Sequence, residues 1–288
     1  MHALQPALHH DDALHDDLLS AAMALGGRRL AILTGAGIST DSGIPDYRGE
    51  GTRQRARRPV RFAEYVASEH ARKRYWARAF VGWQRLRDAV DNAGHRRVGA
   101  LVASRRANGC ITQNVDGLHT RGGADVVVEL HGALRSVRCL GCNARSTREA
   151  LQHALAARNA TWLHAAEQAA RDKQAPDGDV DLDDDVIAGF VVVDCDVCGG
   201  ALKPDVVFFG ENVERDVVAR AAALVDDAEA LLVLGTSLEV WSGRRFVMQA
   251  QQRRLPIVIV NRGPTRADDV ATVKIDAGIA ETLSVLLP

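Results

Sequence analysis

Residues 29–40 read RLAILTGAGIST. Leu30, Ala31, Ile32 and Leu33 form a short, continuous apolar run, and Gly35 and Gly37 close it. Such a run, ended by glycines, reads as a buried strand entering a tight turn. It has no polar face, so both of its sides must be covered. Four similar runs follow: GCIT at 109–112, DVVVEL at 125–130, ALLVL at 230–234 and PIVIV at 256–260. Residues 11–25, 213–228 and 242–254 carry helical patterning. Short apolar strands alternating with helices define an α/β fold class, a Rossmann-like doubly wound parallel sheet covered on both faces.

Two stretches break this rhythm. Residues 50–98 are Arg-rich and helical, with Tyr75, Trp76, Phe80 and Trp83 spaced along one helix face. Residues 135–204 hold two C-x-x-C pairs and the acidic run DGDVDLDDD at 177–185. The expected division is a sheet domain built from 1–49, 99–134 and 205–288, with 50–98 as a helical insertion and 135–204 as a cysteine module. The two insertions together form a smaller lobe. The acidic run is not an EF-hand loop: counted from Asp177, the positions that need Gly and Glu hold Leu182 and Ala188. It reads as a solvated loop.

The 288 residues carry 47% hydrophobic and 25% charged side chains and a net charge of −1, an ordinary globular balance. No overall basic field exists to hold nucleic-acid phosphates. The run of Arg53, Arg55, Arg57, Arg58 and Arg61 reads as a solvated loop. No apolar run approaches the ~20 residues a membrane helix needs. The Asp-rich start resembles neither a secretory signal nor a transit peptide, so a cytoplasmic location is expected. The sequence sets no oligomeric state, and a monomer is compatible with it.

Four of the five cysteines fall in pairs, Cys139 with Cys142 and Cys195 with Cys198. In a reducing compartment such pairs point to a metal rather than to disulfides. Four thiolates close a tetrahedral sphere, so the expected site is one structural Zn2+ per chain, with no open position for water. Cys110, inside an apolar strand, reads as a buried structural thiol.

Gly35-Ala36-Gly37-Ile38-Ser39-Thr40 follows a strand, and a helix is expected after it. Glycines there let backbone N–H groups approach a pyrophosphate. Thr40 stands where a dinucleotide fingerprint has its third glycine, and Arg55 stands about where the acidic ribose ligand belongs. A hydride-transferring dehydrogenase is disfavoured, while a nucleotide site is not.

The residues beyond this loop complete a family pattern. Gly35 to Ser39 followed by Ser42-Gly43-Ile44-Pro45-Asp46-Tyr47-Arg48 resembles the first sirtuin signature, and Thr112-Gln113-Asn114-Val115-Asp116 resembles the second. Leu130-His131-Gly132 is similar to the catalytic histidine motif. The cysteine pairs, Pro204-Asp205-Val206-Val207-Phe208-Phe209-Gly210-Glu211, Gly235-Thr236-Ser237-Leu238 and Val260-Asn261-Arg262-Gly263 follow in the family's order. The likeness covers about residues 28–280. Tyr75-Trp76-Ala77-Arg78, the segment from Leu202 to Gly210, and Gly263-Pro264-Thr265-Arg266 with Asp268-Asp269 resemble the class II branch most, as a bacterial-type relative of its mitochondrial member. Tyr47 stands where many sirtuins have Phe.

The resemblance implies an NAD-dependent protein lysine deacylase. Nicotinamide leaves NAD, the acyl group passes from lysine to ADP-ribose, and O-acyl-ADP-ribose is released. It implies that Gly35, Ala36, Arg48, Thr236 and Ser237 hold the phosphates and adjacent ribose, with Gly37, Ile38, Tyr47 and Gly235 also among the cofactor-binding residues. Asn261, Arg262, Gly263 and Ile279 would border the adenosine end. Gln113, Asn114 and Val115 would lie by the nicotinamide ribose, with Asp116 and the segment from Ile44 to Asp46 receiving the carboxamide. His131 would be the catalytic base, with Asn114 beside it, and His119 would be structural. The acyl-lysine substrate would meet Val207, Phe208 and Gly210. Tyr75 and Arg78 have the Tyr-x-x-Arg spacing that reads an acidic acyl group in some sirtuins; the same spacing fits a helix-face aromatic beside a solvated arginine. Rival readings are protein mono-ADP-ribosyl transfer from the same NAD pocket and, more remotely, a zinc-ribbon nucleic-acid module.

Overall fold

The computed structural model describes residues 5–46, 59–169 and 182–287. Its strands are β1 (Leu30–Thr34), β2 (Ala107–Thr112), β3 (Val127–Glu129), β4 (Gly132–Cys139), β5 (Arg145–Thr147), β6 (Leu202–Val206), β7 (Ala230–Leu234), β8 (Ile257–Val260) and β9 (Val273–Ile275). Six form one parallel sheet in the order β3-β2-β1-β7-β8-β9, and the other three form a separate antiparallel sheet, β5-β4-β6. The large sheet therefore has the doubly wound order, with the direction of winding reversing at β1. The short edge strand β9 carries no run long enough to announce it in the sequence.

The two faces of the large sheet are sorted residue by residue, as a period of two requires. Leu30, Ile32, Cys110, Leu232, Leu234, Val258 and Val260 join one buried cluster. Ala31, Leu33, Ile111, Leu231, Val233, Ile257 and Ile259 join the other. The first face is covered by α1 (Gln5–Leu25), α4 (Ala93–Ala103) and α11 (Ile279–Leu286), the second by α9 (Arg215–Asp226) and α10 (Trp241–Gln252). Each buried leucine, isoleucine or valine contributes about 1.5–3 kcal/mol. Residues 93–98, expected in the helical insertion, pack on this sheet instead: Val98, Leu101 and Val102 of α4 belong to its core. Cys110 is fully buried, as expected, and burial pushes its thiol up to about 12.

The smaller core is aromatic. Helix α3 (Glu69–Asp88) begins at Ser68, whose side chain accepts the Ala71 N–H, and it buries Tyr75, Trp76, Phe80 and Trp83. Tyr75, Trp76 and Phe80 join Tyr65 of α2 (Phe62–Ala67), Phe208, Trp162 and Phe190 in one cluster, while Trp83 packs with Ile44 and Leu118. Buried Arg148 lies 5.4 Å from the Trp76 ring centroid and 4.9 Å from that of Trp83. No helix among the described residues is long and apolar enough to cross a membrane.

Candidate active site

The carboxyl ends of β1, β2, β7 and β8 lie level. Thr34 is in register with Thr112 and Leu234, and Leu234 with Val260. In open parallel sheets this edge, at the strand where winding reverses, forms the ligand crevice. Two glycine turns interlock there. The Gly37 N–H donates to the Gly235 carbonyl at 2.8 Å. A Cβ on Gly35 would stand 2.6 Å from the Thr236 Cβ, and one on Gly37 would stand 2.9 Å from the Gly235 Cα. Gly235 has φ of +60° and abuts the Ile38 N–H and the Ile279 side chain. The expected helix after this loop does not form: two short 3-10 turns, Ala36–Ile38 and Thr40–Ser42, end at Gly43 with φ of +80°. Left-handed backbone at Gly43 stops the turn, and Pro45 follows it.

β2 delivers Gln113 and Asn114 to the same edge. The Gln113 amide donates to Thr236 Oγ1 at 3.0 Å, tying the β2 and β7 turns together. The Asn114 amide donates to Ser39 Oγ and the Gly35 carbonyl at 3.0 and 3.1 Å. Ser39 in turn donates to Asp116 at 2.7 Å, and Asp116 accepts the Leu118 N–H at 2.9 Å. Ile44 is buried between Trp83, Leu118 and their neighbours, and Asp46 is half-buried. Val115 lies half-buried in the same shell.

His131 stands at the junction of the two sheets, just before β4. Its Nδ1 lies 2.9 Å from the Gln113 carbonyl and its Nε2 lies 2.7 Å from Ser242 Oγ at the start of α10. A carbonyl only accepts, so Nδ1 carries the proton and Nε2 holds the lone pair. Burial pushes its pKa below 6.5, partly opposed by the Gln113 carbonyl, and the ring is neutral near pH 7. The His131 carbonyl accepts the Val207 N–H at 2.9 Å, which anchors the segment 207–210 beside this imidazole. Phe208 in that segment lies 5.2 Å, ring to ring, from Tyr75. Glu211 caps its N–H at 2.9 Å and meets the buried Lys203 ammonium at 3.0 Å.

Residues 35–242 match the model of the Sir2 family. The chain belongs to that family. It is 48% identical over 260 residues to NAD-dependent protein deacetylase 2 of Bradyrhizobium diazoefficiens, covering 90% of this chain and 93% of that one. It is 44% identical to the mitochondrial NAD-dependent protein lipoamidase sirtuin-4 of Bos taurus, over 91% of this chain and 82% of that one. Among solved structures, Sir2 with a p53 peptide and NAD+ aligns with a TM-score of 0.70 at 28% identity, covering 91% and 93% of the two chains. A Sir2 complex with a deacetylated p53 peptide and 3'-O-acetyl ADP-ribose aligns with a TM-score of 0.74 at 26% identity, over 94% and 97%. The family expected from the order of motifs is the one found.

In this Sir2-family chain, the four paired cysteines converge as the sequence leads one to expect. Their sulfurs lie within 4.8 Å of one another, with Cys139 to Cys198 at 3.5 Å and Cys142 to Cys195 at 3.8 Å. A tetrahedral zinc with Zn–S bonds of about 2.3 Å needs sulfurs about 3.8 Å apart, so the set fits that ion. Asn143 and Gly199, with φ of 59° and 68°, turn the two knuckles. A Cβ on Gly200 would sit 3.0 Å from Cys139 Sγ, which explains glycine there. Cys139 ends the strand that starts after His131, roughly 20 Å or more along extended chain. A zinc ion there would brace the lobe at a distance from the His131 imidazole.

Other expected residues fall as follows. Asn261 follows β8, and its amide donates to the Arg262 and Gly263 carbonyls at 2.8 and 3.1 Å. Gly263 has φ of +77°. Arg262 lies near Gly278, just ahead of Ile279. The Ser237 carbonyl accepts the Arg266 N–H at 2.9 Å. Gly210, with φ of +84°, ends the segment from Val207. Arg78 is buried at 8% exposure, which excludes the solvated-arginine alternative. Tyr47 and Arg48 lie outside the described residues, as do Arg53 to Arg58 and residues 177–181 of the acidic run. His119 is fully buried, hydrogen-bonded to Thr34 at 2.8 Å, and burial lowers its pKa to about 3, consistent with a structural role.

Several side chains were not singled out from the sequence. Asn92 caps α4 and donates to Ile38 and Ser42 at 2.8 and 3.0 Å, bracing the glycine loop. His95 completes that cap and packs on His119. An Asn three residues before a residue that bonds back to it was a readable capping signal. Ser242 and Lys203 had no such signal.

Proposed function

We propose that this chain is an NAD-dependent protein lysine deacylase in which His131 is the catalytic base. One observation carries the reading: the neutral imidazole presents its Nε2 lone pair at the sheet edge while its other nitrogen is held by Gln113, the residue that also braces the β7 turn. The fit to NAD rests on the interlocked glycine turns. A Cβ on Gly35 or Gly37 would collide with Gly235 or Thr236. Only bare backbone lets the two turns meet at the sheet edge, where main-chain N–H groups can face a pyrophosphate. When bound, NAD supplies the ribose that accepts the acyl group and the nicotinamide that departs.

The chain's own residues then divide the work. Gly35 to Ile38 and Gly235 to Ser237 border the phosphates, and Asn261 to Gly263 with Ile279 border the adenosine end. Asn114 and Asp116, joined through Ser39, hold the nicotinamide end in one arrangement. His131 takes the proton of a ribose hydroxyl at Nε2. Val207, Phe208 and Gly210 line the acyl-lysine segment. Its partners are acyl-lysine proteins or peptides, and we read its location as cytoplasmic. Mono-ADP-ribosyl transfer is the weaker reading, because the bacterial relatives carry deacetylase names and the neutral His131 imidazole supports an acid–base role.

The test is a panel of acyl-lysine peptides, from acetyl through glutaryl to lipoyl, incubated with NAD and read by mass spectrometry. Acyl transfer to ADP-ribose is expected, and His131→Ala should lower it about 10²- to 10⁴-fold with fold and zinc retained. Label from NAD appearing on protein instead would support the rival.

A finer proposal concerns the acyl group, which we read as acidic or longer than acetyl. Tyr75 and Arg78 are both buried, and Tyr75 meets Phe208 in the segment anchored to His131. The bovine relative's lipoamidase name supports an acyl group longer than acetyl. Arg78→Met should lower the glutaryl-to-acetyl rate ratio at least ten-fold; an unchanged ratio removes this reading.

A further inference from the structure

The imidazole of His131 is held at both ends. The Gln113 carbonyl accepts Nδ1–H at 2.9 Å, and the lone pair of Nε2 faces the Ser242 hydroxyl at 2.7 Å. Because Nδ1 carries the ring proton, Ser242 must be the donor to Nε2. Ser242 sits in the first turn of α10, 111 residues from His131 in sequence. The next residue, Gly243, is buried, and a Cβ there would stand 2.5 Å from Gln113 Oε1. The same turn of α10 thus meets the imidazole through Ser242 and packs closely on the Gln113 side chain at Gly243.

We propose that Ser242 is a positioning residue for the base. Two hydrogen bonds on opposite sides of a ring fix its rotation about both side-chain torsions, and one bond leaves it free to swing. Before the ribose hydroxyl arrives, Ser242 satisfies the Nε2 lone pair. The arriving ribose hydroxyl displaces the Ser242 O–H from the single Nε2 lone pair as the serine hydroxyl rotates away; once Nε2 has taken the ribose proton, the serine oxygen accepts Nε2–H. A serine meets both demands because its hydroxyl is donor and acceptor alike. Alanine meets neither, and threonine meets both.

This inference rests on the deacylase reading, and its test separates the two. Nicotinamide exchange, followed with labelled nicotinamide, reports the step before the base is needed; O-acyl-ADP-ribose formation reports the step that needs it. Ser242→Ala should lower kcat for acyl transfer about ten-fold, the worth of one hydrogen bond to a catalytic group. KM for NAD and the exchange rate should change less than two-fold. Ser242→Thr should recover most of kcat. The proposal is overturned if Ser242→Ala keeps wild-type kcat, if exchange falls as far as acyl transfer, or if Ser242→Thr is as impaired as Ser242→Ala. A wild-type protein that neither exchanges nicotinamide nor transfers acyl groups would overturn the deacylase reading, and this inference with it.

Discussion

In the six-stranded sheet, β1, β7 and β8 bury every residue they contain, whereas all three positions of β5 in the antiparallel sheet are exposed. The first sheet is held by continuous apolar packing on two faces. The second packs on the aromatic cluster through Val137, Leu202 and Val206 and adds a few fasteners: four thiolates, the Lys203–Glu211 pair, and Arg148 set between two tryptophan rings. The difference teaches where each half is vulnerable. Distributed packing loses a little at each change, while a fastener loses most of its worth at once.

Zinc removal tests this most severely. Structural zinc in small modules contributes on the order of 10 kcal/mol to folding. Chelation, or Cys195→Ser, should open the segment 139–200 to proteolysis and lower acyl transfer more than about 100-fold. The segment from β7 to α11 should stay protected. Full activity after complete zinc stripping would break the comparison.

A smaller effect is expected at Glu211. Lys203 is fully buried, and removing its carboxylate partner leaves an uncompensated charge. Glu211→Gln should cost about 3 kcal/mol in urea unfolding. Adding Lys203→Met should return part of that stability, since two neutral groups need no pairing. If the double variant is no more stable than the single one, the pair is not the fastener described.

The smallest effect belongs to the large sheet and sharpens its side of the contrast. His119, beneath the β1 and β2 ends, stays neutral because burial lowers its pKa from 6.5 to about 3. Below pH 6.5 the unfolded chain takes a proton that the folded chain refuses, so stability falls as pH falls toward about 3. The slope should approach about 1.4 kcal/mol per pH unit from this group. His119→Gln should flatten it, measured by urea midpoints between pH 6.5 and 5.

Much of the fold was legible because its signals are local. Strands buried on both faces must be apolar throughout, and RLAILTGAG shows that in nine letters. The glycine loop, Gln113 to Asp116 and the cysteine pairs were legible as motifs. What was illegible lacked local pattern. The 3-10 turns after Gly35 depend on how Gly37 and Gly235 interlock across two strands. The placement of 93–98 depends on α4 meeting the core of the large sheet.

The sequence by itself determined a parallel sheet, a four-thiolate cluster and the family, since continuous apolar runs and short spacings mean the same thing wherever they occur. The tertiary structure alone decided the chemistry of His131 and the burial of Arg78. Which imidazole nitrogen is basic depends on a carbonyl 18 residues away and a hydroxyl 111 residues away. A hydrogen bond is set by distance in space, and only the folded chain brings those atoms within 3 Å of one another.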